Sequence, residues 1–197
     1  MASADFDEFG EGDLGIAAVK ILIAGGFGVG KTTMVGSVSE ITPLRTEELL
    51  SELSSDVDSL AGVETKTTTT VALDFGRITV DRELILYLFG TPGQERFWFL
   101  WDELATGALG AVVLADTRRL DSSFAAVDFF ETRGIPFVVG VNCFDNSPTY
   151  TPEDVRYALD LDEHIPVELC DVRDRESSKQ VLLTLVEELI ALTAMST

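Results

Sequence analysis

Residues 25–32 read Gly-Gly-Phe-Gly-Val-Gly-Lys-Thr, a complete G-x-x-x-x-G-K-[ST] sequence. The motif directly follows the apolar run at residues 19–24, which predicts a buried strand, a glycine turn and a helix whose first amides face a ligand. In such a loop Lys31 reaches the outer phosphates as a positive charge, and the Thr32 hydroxyl binds Mg²⁺. A glycine turn without a ligand would not need the Lys-Thr pair. The sequence therefore predicts a nucleoside-phosphate site formed by Gly25, Gly26, Phe27, Gly28, Val29, Gly30, Lys31, Thr32 and Thr33.

Apolar runs alternate with helical patterns along the chain, which is typical of a parallel sheet covered by helices. Strands are predicted at residues 19–24, 70–78, 84–89, 111–115, 137–141 and 167–170, with the second and third joined as an antiparallel hairpin. Helices are predicted at residues 31–38, 95–104, 122–132, 152–159 and 177–193, with Asp121 and Thr151 as N-caps. The predicted fold class is α/β.

The composition excludes several classes of function. The 197 residues are most simply one domain, and their formal charge of −20 argues against nucleic acid and against unaided binding to anionic membranes. There is no apolar stretch long enough to span a membrane, no signal-like N-terminus and no prenylation cysteine, so we expect a cytoplasmic protein without its own membrane anchor. Recruitment to a membrane through a partner is left open. Cys143 and Cys170 are too few for a disulfide framework.

Two segments are expected to lie outside the regular elements. Residues 1–16 are acidic and glycine-rich, which predicts a disordered tail before a domain at residues 17–197. Residues 39–69 form a connection of about thirty residues, with a short helix predicted at residues 46–50. Connections this long in a compact domain are usually functional or mobile, although a passive surface loop remains the alternative.

Four further segments narrow the chemistry. Gly93 can place a backbone N–H beside the terminal phosphate, and Gln94 can orient an attacking water, unless it is an ordinary surface residue of the turn. Asn142 and Asp145 follow the fifth predicted strand, where the Asp145 carboxylate can accept hydrogen bonds from guanine N1–H and the exocyclic amine. At the next strand end, a backbone N–H of the segment Cys170, Asp171, Val172 can meet the guanine O6. A threonine of residues 67–70 can close over magnesium and the terminal phosphate.

With these segments the chain resembles the small Ras-like GTPases over about residues 19–193. The likeness is to bacterial branches, namely the gliding-motility (Mgl-type) GTPases and the actinobacterial conservon-type GTP-binding proteins. The resemblance implies a P-loop NTPase of the Ras-like kind, a three-layer sandwich with a six-stranded, mostly parallel sheet flanked by about five helices. It further implies that GTP and GDP are the ligands, Mg²⁺ the cofactor, and slow GTP hydrolysis the activity. Roadblock/LC7-type regulators and a sensor-kinase-like protein are the partners that it suggests.

The resemblance assigns roles to single residues. Lys31 and Gln94 become the catalytic residues, and Thr70 the preferred magnesium ligand, directly after an extended switch I region at about residues 39–69. Thr68 and Thr69 remain alternatives to Thr70, because a run of four threonines leaves the register open.

Three residues depart from the Ras-like pattern. Gly90 stands where most small GTPases carry an aspartate that holds a magnesium-bound water, and our hypothesis is that Asp74 takes over that role; an ordinary strand residue is the alternative. Cys143 replaces a lysine that normally covers the purine, so base binding is expected to be weaker while Asp145 still selects guanine. Phe27 fills a glycine position and can obstruct an arginine inserted by an activating protein.

The aromatic run at residues 96–101 has two interpretations. Either most of its rings belong to the core, or they form a recognition patch that rearranges with the nucleotide state, which its place in the predicted switch II slightly favours. The function predicted from the sequence is a GTP-operated switch. The alternatives are a nucleotide-stabilised scaffold with little hydrolysis and, with less support, a P-loop ATPase or kinase.

Overall fold

A computed structural model describes residues 17–51, 68–145 and 147–195 of the chain. The predicted tail at residues 1–16 and the central part of the long connection, residues 52–67, lie outside the described residues.

The described strands form one seven-stranded sheet in the order β2-β3-β4-β1-β5-β6-β7. The pairs β4–β1, β1–β5, β5–β6 and β6–β7 are parallel, whereas β2–β3 and β3–β4 are antiparallel. The strands are β1 (Ala17–Gly25), β2 (Leu44–Ser51), β3 (Thr68–Thr79), β4 (Leu84–Gly90), β5 (Ala108–Ala115), β6 (Phe137–Asn142) and β7 (Val167–Cys170). The predicted six strands are therefore confirmed, and one antiparallel edge strand, β2, is added to them.

Five α-helices are described on the two faces of this sheet. They are α1 (Lys31–Val38), α2 (Leu100–Ala105), α3 (Phe124–Arg133), α4 (Pro152–Ala158) and α5 (Arg175–Met195). Short 3₁₀ turns at Glu95–Phe97 and Leu120–Ser123 precede α2 and α3. The predicted α/β class, mostly parallel and flanked by about five helices, is confirmed.

The central strand β1 divides the core into two layers, because successive side chains of a strand point to opposite faces. Ile21 and Ile23 pack with Met34 of α1 and Leu185 of α5 on one face. Leu22 and Ala24 belong to the other core cluster, with Trp101 of α2, Phe130 of α3 and Val155 of α4. Helices therefore cover both faces of the sheet, and the loops that follow β1, β4, β5, β6 and β7 lie at its carboxyl edge.

Three local predictions were wrong. The short helix expected at residues 46–50 is part of β2, since pairing along Thr68–Phe75 of β3 outweighs the helix preference of its leucines and glutamates. Asp121 does not cap α3; it lies within the preceding 3₁₀ turn, and Ser123 occupies the cap position without a side-chain bond. The helix expected at residues 95–104 is split into a 3₁₀ turn and the shorter α2. Thr151, by contrast, forms the predicted N-cap of α4, with Pro152 following it.

No helix in the three described stretches is both long and apolar enough to cross a membrane.

Candidate functional site

The loop between β1 and α1 has a backbone that only glycine adopts readily. Gly25, Gly28 and Gly30 have φ values of 128°, 75° and 113°, in the region that L side chains rarely occupy. A Cβ on Gly25 would lie 2.3 Å from the Leu114 carbonyl oxygen, and one on Gly30 would lie 2.8 Å from Nδ2 of Asn142. The glycines of the motif are therefore required by the loop itself, which turns directly into the first amides of α1.

Lys31 closes this loop from inside. Its side chain is buried, and Nζ donates to the carbonyl oxygens of Gly25 at 2.8 Å and Gly26 at 2.7 Å. Burial lowers the pKa of Lys31 to about 8, and the nearby Asp74 carboxylate opposes this shift. A phosphate in the loop would give the ammonium group a charged acceptor in place of two neutral ones, which favours the protonated lysine.

The Asp74 carboxylate of β3 meets the first turn of α1. Oγ1 of Thr32 donates to Oδ2 of Asp74 at 2.5 Å, and Asp74 is 9% exposed. Asp74 pairs in register with Gly90 of β4, and a Cβ on Gly90 would lie 3.1 Å from Cβ of Asp74 and 3.3 Å from its Oδ2. The absence of a side chain at Gly90 thus leaves the space that the Asp74 carboxylate occupies beside Thr32.

The oxygen atoms at this point have the chemistry that Mg²⁺ prefers. A threonine hydroxyl and a carboxylate are hard donors, and Mg²⁺ usually binds one or two such groups together with waters and substrate phosphates. Within the described residues there is no group of three or more His, Cys, Asp or Glu side chains that could hold a metal by itself. The donor set therefore fits a cation bound jointly with a phosphate ligand.

Thr70, the other predicted metal ligand, lies within strand β3 and is paired with Leu49 of β2. Four residues of extended strand span about 13 Å, so the strand holds Thr70 far from Asp74 along the sheet. Thr68 and Thr69 lie farther away in the same strand. A threonine of this run can join Thr32 only if the β2–β3 pairing opens there.

The segment after β4 lies directly on the phosphate loop. A Cβ on Gly93 would lie 2.5 Å from Nζ of Lys31 and 2.9 Å from both the Gly26 carbonyl oxygen and Cα of Phe27, so only glycine fits. Oε1 of Gln94 accepts a hydrogen bond from Nε of Arg96 at 2.9 Å. A cavity of about 480 Å³ is lined by residues of the phosphate loop, β3 and this segment, namely Phe27, Gly28, Gly30, Lys31, Thr32, Thr33, Asp74, Thr91, Pro92, Gly93, Gln94, Arg96 and Phe97.

The aromatic run at residues 96–101 divides between core and surface. Phe97 and Trp101 are buried, and Nε1 of Trp101 donates to the Pro92 carbonyl oxygen at 2.9 Å, which ties α2 to the segment after β4. Phe99 is 60% exposed, as is Phe27 at 63%. Phe97 and Trp101 therefore anchor the segment, whereas Phe99 is available at the surface, as is Phe27 of the phosphate loop.

The ends of β6 and β7 meet the phosphate loop through Asn142. Its Nδ2 donates to the Val29 carbonyl oxygen at 2.9 Å, and its Oδ1 accepts from the Val172 N–H at 3.3 Å. The side chain is 3% exposed. One buried amide thus connects the loop that would hold phosphates to the two loops that carry Asp145 and Val172.

A second cavity of about 360 Å³ opens beside these loops and shares Gly28, Gly30 and Thr33 with the first. Its other lining residues are Arg118, Asn142, Cys143, Phe144, Asp145, Val172 and Arg173. The predicted base-binding residues Asn142, Asp145 and Val172 are therefore brought together beside the phosphate loop. Cys170 contributes backbone only: its carbonyl oxygen accepts from the Cys143 N–H at 2.7 Å, and burial raises the pKa of its thiol to about 12.

Arg173 pairs with Asp145 in the lining of this cavity and with Asp171 beside it. Its Nη1 and Nη2 donate to Asp145 at 2.8 and 3.1 Å, while Nε and Nη2 donate to Asp171 at 2.8 and 2.7 Å. The hydrogen bonds from Arg173 lower the pKa of Asp171 to about 2 and hold the pKa of Asp145 below its ordinary value. Both aspartates are accessible, so these ion pairs are weak and a ligand can replace them.

Three residues that follow β5, Asp116, Arg118 and Arg119, lie at the site but were not predicted from the sequence. The Asp116 side chain is fully buried and pairs with Arg118, and Nη2 of Arg119 donates to the Phe27 carbonyl oxygen at 2.8 Å. The signal was available, since a polar Asp-Thr-Arg-Arg segment ends the strand beside β1 in a parallel sheet, and such ends meet at one edge.

Comparisons with solved structures support the G-domain fold. The chain superimposes on the cytosolic domain of the T. maritima FeoB iron transporter in a GDP form with a TM-score of 0.64 and 16% identity, covering 88% of this chain and 64% of that one. The isolated G domain of the same transporter gives a TM-score of 0.58 and 18% identity, covering 89% of this chain and 98% of that one. The chain thus spans less than two thirds of the FeoB cytosolic domain but nearly all of its G domain.

Among curated proteins, an uncharacterized protein of Methanocaldococcus jannaschii is 28% identical over 137 residues, which is 68% of this chain and 76% of that protein. A family model described as "Conserved hypothetical ATP binding protein" matches residues 23–192, from near the end of β1 almost to the end of α5. The match includes the P-loop and the strand ends that Asn142 connects to it. Because the match covers most of its length, the chain belongs to this family of conserved hypothetical ATP binding proteins.

Proposed function

We propose that this protein is a guanine-nucleotide switch that binds GTP with Mg²⁺ and hydrolyses it slowly to GDP. The observation that carries the proposal is the buried Asn142 amide, which links the phosphate loop at Val29 to the loop after β7 at Val172. Asp145 lines the cavity beside this link. A nucleotide would therefore place its phosphates at Lys31 and its base edge at the Asp145 carboxylate, whose two acceptor oxygens match guanine and not adenine.

The roles of the side chains follow from their charges and positions. The Lys31 ammonium would neutralise the outer phosphates, and the amides of residues 25–33 would donate to them. Thr32 would hold the magnesium ion, and the Asp74 carboxylate behind it would accept a hydrogen bond from the Thr32 hydroxyl or from a metal-bound water. The ion would neutralise charge on the phosphates. The Gln94 amide would orient the attacking water once its bond to Arg96 opens.

Slow turnover is part of the proposal. Intrinsic GTP hydrolysis in proteins of this chemistry is on the order of 10⁻⁴ to 10⁻² per second. Phe27 is exposed at the mouth of the phosphate cavity, where an arginine from an activating protein would have to enter. Arg96 and Arg119 already lie close to Gln94 and the phosphate loop, but each donates to a protein acceptor.

The switch would operate through two segments of a domain that covers residues 17–197. GTP would draw Gly93 onto the terminal phosphate and bring a threonine of residues 68–70 out of the β2–β3 pairing, and hydrolysis would release both. Residues 39–69 would then form switch I. The resemblance to bacterial Ras-like proteins suggests Roadblock/LC7-type and sensor-kinase-like partners for these surfaces, with Phe99 among the exposed contacts.

The description of the family favours a second candidate function, the binding of ATP. The ion pair between Arg173 and Asp145 is compatible with it, because a paired carboxylate attracts the guanine edge less strongly. A third possibility is a nucleotide-stabilised scaffold with little hydrolysis, for which phosphate release over several turnovers is the relevant measurement.

Identification of the co-purifying nucleotide, followed by an Asp145→Asn variant, tests the proposal. We expect GDP in the purified protein, and a shift of preference from guanine to xanthine nucleotides in the variant, because an amide donates where the carboxylate accepted. Asp162→Asn, in a loop away from both cavities, is the matched control. Bound ADP, or unaltered GDP selectivity in Asp145→Asn, would overturn the base assignment.

A further inference from the structure

One cationic side chain at the second cavity is held by a fully buried carboxylate. Asp116, directly after β5, is 0% exposed. Its Oδ1 accepts from Nε of Arg118 at 2.9 Å and from the Arg118 backbone N–H at 3.0 Å, and its Oδ2 accepts from Nη2 at 2.8 Å. These three bonds fix both the position and the plane of the guanidinium group, because a paired bidentate contact leaves little rotational freedom.

One face of that plane is covered and the side chain still reaches solvent. The guanidinium carbon of Arg118 lies 3.7 Å from the centroid of the Phe144 ring, in a cation–π contact. The Arg118 side chain is nevertheless 44% exposed, and it lines the same cavity as Asp145 and Val172. The Phe144 face is therefore used by Arg118, while the guanidinium group remains accessible from the cavity.

We propose that Arg118 is the platform on which the purine base stacks, an inference that rests on the proposed nucleotide function. A base whose edge reaches Asp145 presents its flat face to the walls of this cavity. Cys143 has too short a side chain to cover a bicyclic ring, whereas the planar guanidinium group of Arg118 can stack on the electron-rich face of a purine. Arg118 thus contributes affinity for the base, whereas Asp145 determines which base is selected.

Arg173 is the other planar cation lining this cavity, and its contacts make it unsuited to the task. Its guanidinium bonds to Asp145 itself, so a base edge that reaches Asp145 must displace it. The bonds of Arg118 go to Asp116, which is buried and lies outside the cavity lining. Arg118 can therefore stay in place when the base enters, so the platform is formed before binding and costs little to organise.

A stacking platform has a signature that a general positive charge does not. Stacking on a planar side chain is tolerant of base identity, so its loss should weaken GDP, IDP and ADP by the same factor. It should leave the binding of inorganic pyrophosphate unchanged, because pyrophosphate occupies only the phosphate loop. A charge that acted at long range would weaken pyrophosphate as well.

The test compares Arg118→Ala and Arg118→Lys with the wild type by calorimetric titration of Mg²⁺–GDP and of Mg²⁺–pyrophosphate. We expect Kd for GDP to rise roughly tenfold in both variants, within the range for base stacking, with Kd for pyrophosphate within twofold of wild type. Arg118→Lys keeps a cation beside the buried Asp116, so it guards against misfolding of the alanine variant. Arg133→Ala is the matched control, since Arg133 also stacks on a phenylalanine, Phe129, and pairs with an aspartate, Asp102, far from both cavities.

The outcomes separate this inference from the proposed function. Wild-type titration with GDP and ADP tests the proposed function by itself. If wild type binds a purine nucleotide and Arg118→Lys binds it equally well, the platform is wrong while the proposed function stands. Equal losses of GDP and pyrophosphate in both Arg118 variants would also overturn the platform, because they would assign Arg118 a purely electrostatic or structural role.

Discussion

Replacement of Asp74 by alanine addresses the least conventional part of the site, the carboxylate that β3 delivers to Thr32. In the folded protein Oδ2 of Asp74 accepts from the Thr32 hydroxyl, and the same carboxylate raises the pKa of Lys31 against the effect of burial. Asp74→Ala removes both influences. The variant should therefore affect ligand binding in two ways, one through magnesium and one through the charge of Lys31.

The two effects differ in size and in their dependence on the metal. Loss of a side chain that orients a metal ligand typically costs 10- to 100-fold in metal affinity, or about 1.4–2.8 kcal/mol. The stability of the fold should change by no more than about 1 kcal/mol, because Thr32 is exposed and water can replace the lost acceptor. Without Asp74 the pKa of Lys31 should fall below about 8, which weakens nucleotide binding with or without magnesium.

The assay measures the Kd of a fluorescent GDP analogue in the presence of Mg²⁺ and in the presence of EDTA, for the wild type and for Asp74→Ala. The ratio of Kd in EDTA to Kd in Mg²⁺ isolates the effect of magnesium, because the lysine effect is present in both conditions and cancels. We expect this ratio to fall at least tenfold in Asp74→Ala. Gly90→Ala should lower it in the same direction with the carboxylate still present, because its Cβ would lie 3.1 Å from Cβ of Asp74 and displace it.

Asp128→Ala, an exposed charge on α3, is the control for net charge and should leave the ratio unchanged. An unchanged magnesium ratio in Asp74→Ala would refute the reasoning, and Asp74 would then be a structural partner of Thr32 alone. A loss of stability much larger than 1 kcal/mol, measured by urea denaturation, would refute the estimate that solvent replaces the lost acceptor.

Three further predictions concern Gln94, Lys31 and Asn142. Gln94→Leu should slow single-turnover GTP hydrolysis by at least tenfold with GTP affinity retained, and an unaltered rate constant would count against a role in orienting water. Because the pKa of Lys31 is about 8, roughly half a proton should be taken up per Mg²⁺–GDP bound at pH 8 and far less at pH 6.5. Calorimetry in buffers of different ionisation enthalpy measures this proton uptake. Equal uptake at both pH values would contradict the assignment. Asn142→Ala leaves the Val29 carbonyl and the Val172 N–H without their shared partner, so the free energy of unfolding should fall by about 2–4 kcal/mol. A fall of less than about 0.5 kcal/mol in urea denaturation would show that this link does not stabilise the fold.

Much of the fold could be predicted from local patterns. The apolar runs at β1, β5, β6 and β7 have the length and β-branched content of buried parallel strands, and helix α1 begins and ends where its pattern predicts. The edge strand β2 could not be predicted this way. Its residues have no strong strand preference, and they become a strand only because β3 offers them a row of backbone hydrogen-bonding partners.

The chemistry of the phosphate loop was determined by the sequence alone, because its glycines, Lys31 and Thr32 all belong to one continuous segment. The neighbouring residues were decided by tertiary structure. Asp74 is 42 positions from Thr32, and its closeness depends on the β3–β4 register that sets it opposite Gly90. Arg118 reaches the second cavity because β5 lies beside β1 and ends at the same edge of the sheet. A spacing motif encodes contacts within a few residues, whereas these contacts exist only after distant strands have paired.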